Sequence, residues 1–143
     1  MKDLVHDTIE LEFRFDAAPE RVFEALTRGI GAWWSHAFRE GSKVGLDPRP
    51  GGAFGESWSG GGAVYAVVRH LDPPETLILD GPMGMDGAVA ASMEYTLDPD
   101  GTGTRLRLVH DILGRIDPDT IADYRAGWEA VLGISLRDYL AGK

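Results

Sequence analysis

Two ionisable side chains, His110 and Glu56, have the residue types and settings best suited to chemistry in this sequence. His110 alternates with Leu106 and Leu108 in a segment of period two, so its imidazole should face an apolar interior. There it could hydrogen-bond a ligand or act as a general base, since an unperturbed imidazole titrates close to neutral pH. The structural alternative is a buried imidazole that is bonded to a neighbouring backbone carbonyl.

Glu56 shares one face of a short segment with Phe54 and Trp58, between two glycine-rich turns. If that face lines a cavity, desolvation raises the pKa of the carboxyl group, which could then serve as acid, base or hydrogen-bond anchor. The alternative is a twist or bulge that turns Glu56 to solvent, because carboxylates are seldom buried without a partner. A cavity shared by Glu56 and His110 would favour catalysis.

Many aromatic and large apolar side chains could line a ligand pocket, although side chains of this kind usually fill a core. Tyrosines are the better candidates for ligand contact because a buried phenol needs a hydrogen-bond partner. Met83 and Met85 lie in a glycine-flanked loop, which predicts either a soft lid or an ordinary exposed loop. The candidate ligand-binding residues are Trp33, Trp34, Phe54, Trp58, Tyr65, Met83, Met93, Tyr95, Tyr124, Trp128 and Leu132.

Hydrophobic periodicity predicts the elements that position these residues. Pro19 suits the first turn of a short helix, and a short apolar turn with Trp33 and Trp34 follows it. Asp117 and Pro118 predict the start of a long amphipathic helix that runs to the C-terminus. Alternation predicts about six strands, over residues 8–15, 53–58, 63–71, 76–80, 88–97 and 105–112.

Composition excludes several classes of function. The net charge of −9 argues against a nucleic-acid surface or an anionic membrane, because both require clustered Lys and Arg. The chain has no cysteine, so disulfides and thiolate chemistry are excluded. The four histidines are scattered without metal-ligand spacing, and the glycine clusters lack the lysine of a phosphate loop, so we expect no metal and no cofactor.

The length and the N-terminal sequence lead to two further expectations. The 143 residues are typical of one domain that spans the whole chain, 1–143. No apolar run is long enough to cross a membrane, and the N-terminus lacks the apolar segment of a signal peptide. We therefore expect a cytoplasmic protein that does not insert into membranes.

Six segments, taken together, resemble the START-like (SRPBCC, birch-pollen-allergen-like) superfamily. Within it, the chain is similar to the small bacterial proteins of the activator of heat-shock-protein-90 ATPase homologue family. The segments run in the family's order over nearly the whole chain. They are APERVFEAL (18–26), the pair Trp33-Trp34, DPRPGGAF (47–54), LDPPETL (71–77), DGTGTRLRLVHD (100–111) and GWEAVLGISLRDYL (127–140).

The resemblance implies an α+β helix-grip fold. In this fold a bent antiparallel sheet of six or seven strands wraps around the long C-terminal helix, and two short helices follow the first strand. The usual ligand site of the superfamily is the cavity between sheet and helix. The resemblance therefore favours binding of a small hydrophobic molecule, such as a lipid fragment, a polyketide or another aromatic metabolite, by a monomer or homodimer.

Two other functions stay open at this point. Some START-like relatives are cyclases, hydrolases or isomerases, and here His110 would be the base while Glu56 or Tyr95 positions the substrate. The family's name also suggests an interaction protein that stimulates a chaperone ATPase. The enzymatic alternative requires His110 and Glu56 to reach a common point in the cavity.

Overall fold

The computed structural model describes residues 3–143, which form one seven-stranded antiparallel sheet with helices packed on it. The strands are β1 (Leu4–Phe15), β2 (Lys43–Leu46), β3 (Ala53–Trp58), β4 (Gly61–Asp72), β5 (Thr76–Asp80), β6 (Val89–Asp100) and β7 (Gly103–Arg115). Their order in the sheet is β1-β7-β6-β5-β4-β3-β2, so β2 to β7 form a meander and β1 pairs with the last strand. The register places Ile9 opposite His110.

The helices follow the predicted order. Helix α1 (Pro19–Leu26) and a 3₁₀ turn (Ile30–Ala32) come after β1. The C-terminal helix consists of α2 (Asp119–Ala130), a π-helical segment (Val131–Leu136) and α3 (Arg137–Leu140). Within residues 3–143, no helix combines the length and the apolar character that a membrane span requires. The α+β helix-grip fold that the resemblance implied is therefore confirmed.

Alternation along the strands places apolar side chains against the helices. On β7, Leu106, Leu108, His110 and Ile112 are completely buried, as the sequence pattern predicts, and Arg105 is exposed. Burial of each large aliphatic side chain contributes roughly 1.5–3 kcal/mol to the free energy of unfolding. Most of the space between sheet and helix is thus filled by the protein's own side chains.

Two irregularities in β4 bend the sheet. The pairing with β3 shifts between Phe54 and Gly55, and the pairing with β5 shifts between Val68 and His70. A bulge adds local twist and bends the strand that carries it. The residues of β4 that lack a paired residue at these two shifts are Tyr65 and Arg69.

The sequence patterns did not predict β2, and they gave β1 too late a start, at residue 8 instead of Leu4. Strand β2 has only four residues, and Gly45 in its middle carries no side chain, so no alternation is visible. Its position depends on long-range packing against β3 and the 3₁₀ turn. A Cβ atom at Gly31 would lie 2.4 Å from the carbonyl oxygen of Val44. The backbone of the turn can therefore approach the backbone of β2 this closely only because residue 31 has no side chain.

We predict that Gly31→Ala destabilises the protein by about 1–3 kcal/mol, because the new methyl group would push the 3₁₀ turn away from β2. Gly45→Ala is the matched control, since a Cβ atom there has no neighbour within 4 Å. The midpoint of urea unfolding should fall for Gly31→Ala and stay or rise slightly for Gly45→Ala. Equal midpoints for the two variants would contradict the proposed contact.

Candidate functional site

A pocket of about 220 Å³ lies between β4, α2 and two loops, which we name the first loop (residues 33–42) and the second loop (residues 81–88). Its surface is mostly apolar. It opens to solvent, because Phe38 on its rim is 54% exposed and His36 and Asp123 are exposed too. The residues that line it are Trp34, His36, Phe38, Tyr65, Met83, Asp123, Tyr124, Gly127, Trp128 and Val131.

One face of α2 and of the segment after it supplies a wall of the pocket. Tyr124, Gly127, Trp128 and Val131 are three or four residues apart along the chain, so they lie on the same helix face. The Trp128 indole N–H donates a hydrogen bond of 2.9 Å to Nδ1 of His110 on β7. This bond fixes the orientation of the Trp128 ring on the pocket wall.

Trp34 connects the aromatic walls of the pocket. Its ring centroid lies 5.1 Å from that of Phe54 and 6.1 Å from that of Trp128, both in edge-to-face geometry. The Tyr65 ring is 6.3 Å away. Edge-to-face pairs are worth roughly 0.5–1.5 kcal/mol beyond their buried area, so these rings hold one another in place.

Glu56 attaches the first loop to the sheet. Its Oε1 accepts hydrogen bonds from the Phe38 backbone N–H (2.6 Å) and the Tyr65 hydroxyl, and its Oε2 from the Ser42 hydroxyl (2.5 Å) and the Arg39 N–H (3.3 Å). The carboxylate is 5% exposed. The loop thereby presents the Phe38 ring to Tyr65 at 5.4 Å, on the rim of the pocket.

These bonds decide the charge of Glu56. Burial alone would raise the pKa of its carboxyl group, but the bonds from Ser42, Tyr65, Phe38 and Arg39 outweigh burial and lower it. Burial and the neighbouring Glu56 carboxylate both raise the pKa of the Tyr65 phenol. Glu56 is therefore an anion at neutral pH whose two oxygens are already bonded to four donors.

The second loop is clamped at Met83. The Met83 N–H donates to the Tyr65 carbonyl (2.9 Å), and the Met83 carbonyl accepts a bond of 2.7 Å from the Tyr124 hydroxyl. Met83 has a left-handed backbone (φ +50°), which is strained for a residue with a side chain and is held by these bonds. Met83 and Met85 are only 8% and 9% exposed. The prediction of an ordinary exposed loop is therefore wrong for these two residues.

His110 is completely buried, and burial lowers the pKa of its imidazole to about 4, although the nearby Asp111 carboxylate acts in the opposite direction. Because Nδ1 accepts the Trp128 N–H, the neutral ring carries its proton on Nε2. That N–H and the Trp34 indole N–H are buried without a hydrogen-bond partner among the described residues. The imidazole is thus neutral at pH 7 and anchored to Trp128.

The structure brings five of the eleven sequence-predicted ligand-binding residues to the pocket: Trp34, Tyr65, Met83, Tyr124 and Trp128. The other six lie outside its wall. Phe54, Met93, Tyr95 and Leu132 are buried in the core, Trp33 is buried with its indole N–H bonded to the Ala25 carbonyl, and Trp58 lies under the Arg39 guanidinium. The pocket is therefore smaller than the cavity that all eleven predicted residues would have lined.

His110 and Glu56 do not line the pocket. Each stands behind a residue that does: His110 behind Trp128, and Glu56 behind Tyr65 and Phe38. The alternative that Glu56 turns to solvent is wrong, because Glu56 is 5% exposed, and the inward position predicted for His110 agrees with its complete burial. The common point that the enzymatic alternative requires is not formed by these two side chains.

Five residues of the wall are not among the sequence-predicted ligand-binding residues: His36, Phe38, Asp123, Gly127 and Val131. Gly127 and Val131 follow Tyr124 by three and seven positions, so the helical period could have placed them. Val131 indeed belongs to the apolar stripe of the helix. His36 and Phe38 lie in an irregular loop, and no periodic signal exists there.

A protein-family model described as Activator of Hsp90 ATPase homolog 1-like protein matches residues 16–141. The chain belongs to this family. The match spans most of the sequence and includes all the residues that line the pocket. No curated protein matches the sequence significantly.

Solved structures share the START-like fold of this family member. A putative uncharacterised protein from Rhizobium leguminosarum superposes with a TM-score of 0.79 at 21% identity, covering 100% of this chain and 99% of that one. The Aha1 dimer from Colwellia psychrerythraea gives 0.68 at 22% identity, with 94% and 96% covered. Protein CV1439 from Chromobacterium violaceum gives 0.69 at 25% identity, with 93% and 96% covered.

The buried imidazole of this family member should make its stability depend on pH. The pKa of His110 is about 4 in the folded chain, whereas the ordinary value of 6.5 applies in the unfolded chain. Between pH 4 and pH 6.5 the unfolded chain therefore binds a proton at His110 more readily than the folded chain does. Stability should therefore fall as the pH drops from 6.5 toward 4, by on the order of 3 kcal/mol in total. His110→Asn, which keeps an acceptor for Trp128 and does not titrate, should lose correspondingly less stability between pH 7 and pH 4.5. Parallel stability curves for the two proteins, measured by urea unfolding, would contradict the assignment.

We predict that Glu56→Gln loosens the first loop, because the amide group of glutamine cannot accept hydrogen bonds from all four donors. The loss should be about 1–3 kcal/mol in unfolding free energy, with faster hydrogen exchange at the amides of Phe38 and Arg39. Glu40→Gln is the control, since Glu40 lies in the same loop and is exposed. Unchanged protection of the Phe38 amide in Glu56→Gln would show that the carboxylate does not hold the loop.

Proposed function

We propose that this protein binds a small, uncharged, apolar molecule of one or two rings in the pocket. The observation that carries this proposal is an aromatic-walled, solvent-open pocket of about 220 Å³ between the sheet, α2 and the two loops. For comparison, an engineered apolar cavity of roughly 150 Å³ binds benzene. A space of this size suits a compact ring system better than a long acyl chain.

The charges around the pocket support an uncharged ligand. The two ionisable wall residues apart from the tyrosines, His36 and Asp123, both lie on the exposed rim. The deeper wall consists of Trp34, Tyr65 and Trp128, none of which carries a charge that could pair with a buried ionic group. An unpaired charge placed there would lose its hydration without compensation. The net charge of −9 also disfavours the approach of anions.

The walls are already held in place before a ligand arrives, which reduces the cost of binding. Glu56 fixes the first loop, Tyr124 and Tyr65 fix Met83 in the second, and His110 fixes Trp128. The polar groups that sequence analysis considered for catalysis thus support the walls of a binding site. This arrangement favours binding over the enzymatic alternative.

A titration with 6-acetyl-2-(dimethylamino)naphthalene, an uncharged two-ring dye whose emission shifts to the blue in apolar surroundings, tests the proposal. We expect saturable blue-shifted emission with the intact protein. Phe38→Ala, which removes a ring from the pocket rim, should weaken the dye affinity roughly fivefold, equivalent to about 1 kcal/mol of lost apolar contact. Leu113→Ala is the matched control, because Leu113 is also exposed (45%) but does not line the pocket.

The absence of any saturable blue shift with the intact protein would refute the proposed binding. Saturable binding that Phe38→Ala and Leu113→Ala weaken equally would place the dye elsewhere on the protein.

A further inference from the structure

We infer that Gly127 is the residue that sets the size of the ligand. Its missing side chain leaves room on the pocket wall for a ring of the ligand to lie against the backbone of α2. This inference rests on the binding function proposed above and names the residue that decides which ligands fit the pocket.

The fold itself gives no reason for a glycine at this position. Gly127 lies inside α2 (Asp119–Ala130), where glycine is less favourable than alanine, and its φ is not in the left-handed region. Apart from the adjoining residues and the helix's own backbone, a Cβ atom at this position would have no neighbouring atom within 4 Å. Neither backbone conformation nor close packing therefore excludes a side chain.

A second glycine in the same C-terminal helix shows the contrast. At Gly133 a Cβ atom would lie 3.2 Å from Cε1 of Phe13 on β1, so close packing accounts for that glycine. At Gly127 the space in front of the backbone is empty, and this residue is half-buried and lines the pocket. The empty space is therefore part of the pocket.

The neighbours of Gly127 indicate what would fill this space. Tyr124 and Val131 flank it at three and four residues' distance on the same helix face, and Trp128 follows it directly. A glycine between such side chains allows a ligand to approach the backbone closely. A flat aromatic ring that inserts between Tyr124 and Val131 has the matching shape, whereas a side chain at position 127 would occupy the same volume.

The experiment compares one-ring and two-ring ligands on variants of position 127. Benzene and naphthalene are each used to displace 6-acetyl-2-(dimethylamino)naphthalene from four proteins: the intact protein, Gly127→Ala, Gly127→Leu and Ala126→Leu. Ala126→Leu is the control, because Ala126 is exposed on the same helix. We expect Gly127→Ala to weaken naphthalene binding several-fold, leave benzene binding within twofold, and raise Tm by a few degrees. Gly127→Leu should weaken naphthalene binding more than tenfold without lowering Tm. Ala126→Leu should leave both affinities unchanged.

The outcomes separate this inference from the proposed function. If the intact protein binds neither ligand nor dye, both the function and the inference fail. If it binds naphthalene and Gly127→Leu binds it equally well, binding stands and the role of Gly127 is refuted. A clear drop in the Tm of Gly127→Ala would show that the glycine serves the fold, which also overturns the inference. Because Gly127→Ala is a small change, it tests the inference even if Gly127→Leu fails to fold.

Discussion

One helix must cover the apolar face of a seven-stranded sheet, and this geometric constraint shapes the rest of the molecule. Seven strands at about 4.8 Å spacing span roughly 29 Å, whereas a helix with its side chains is only about 10–12 Å wide. The sheet therefore has to bend, and the shifts in pairing along β4 help it to do so. Helix α1 and the two loops cover what the C-terminal helix leaves exposed.

The pocket lies where the C-terminal helix and the two loops meet over β4. These elements leave a space whose wall includes Trp34 of the first loop, Tyr65 of β4 and Trp128 of α2. Hydrogen bonds to side chains hold these loops at a fixed distance: Glu56 bonds the first loop, and the Tyr124 hydroxyl bonds Met83 in the second. These polar contacts fix the two loops that carry Phe38 and Met83 on the pocket wall.

Much of this fold could be predicted from the sequence, because alternation and helical spacing report directly on burial. The inward face of β7 and the wall residues Tyr124 and Trp128 follow from such periods. Strand β2 and the rim residue Phe38 could not be predicted, since neither belongs to a periodic segment and both are fixed by partners distant in sequence. Alternation did single out Glu56, but its role could not be predicted, since its bonds to the first loop join residues 14 to 18 positions apart.

The tryptophan indole signals in a proton–nitrogen NMR spectrum test the central claim most directly. Trp34 and Trp128 line the pocket, whereas the indole N–H of Trp33 is buried and bonded to the Ala25 carbonyl, outside the wall. Titration with naphthalene should move the Trp34 and Trp128 signals in a saturable manner and leave the Trp33 signal in place. Signals of Trp34 and Trp128 that stay fixed at saturating naphthalene, or that move no more than that of Trp33, would contradict a binding site in this pocket.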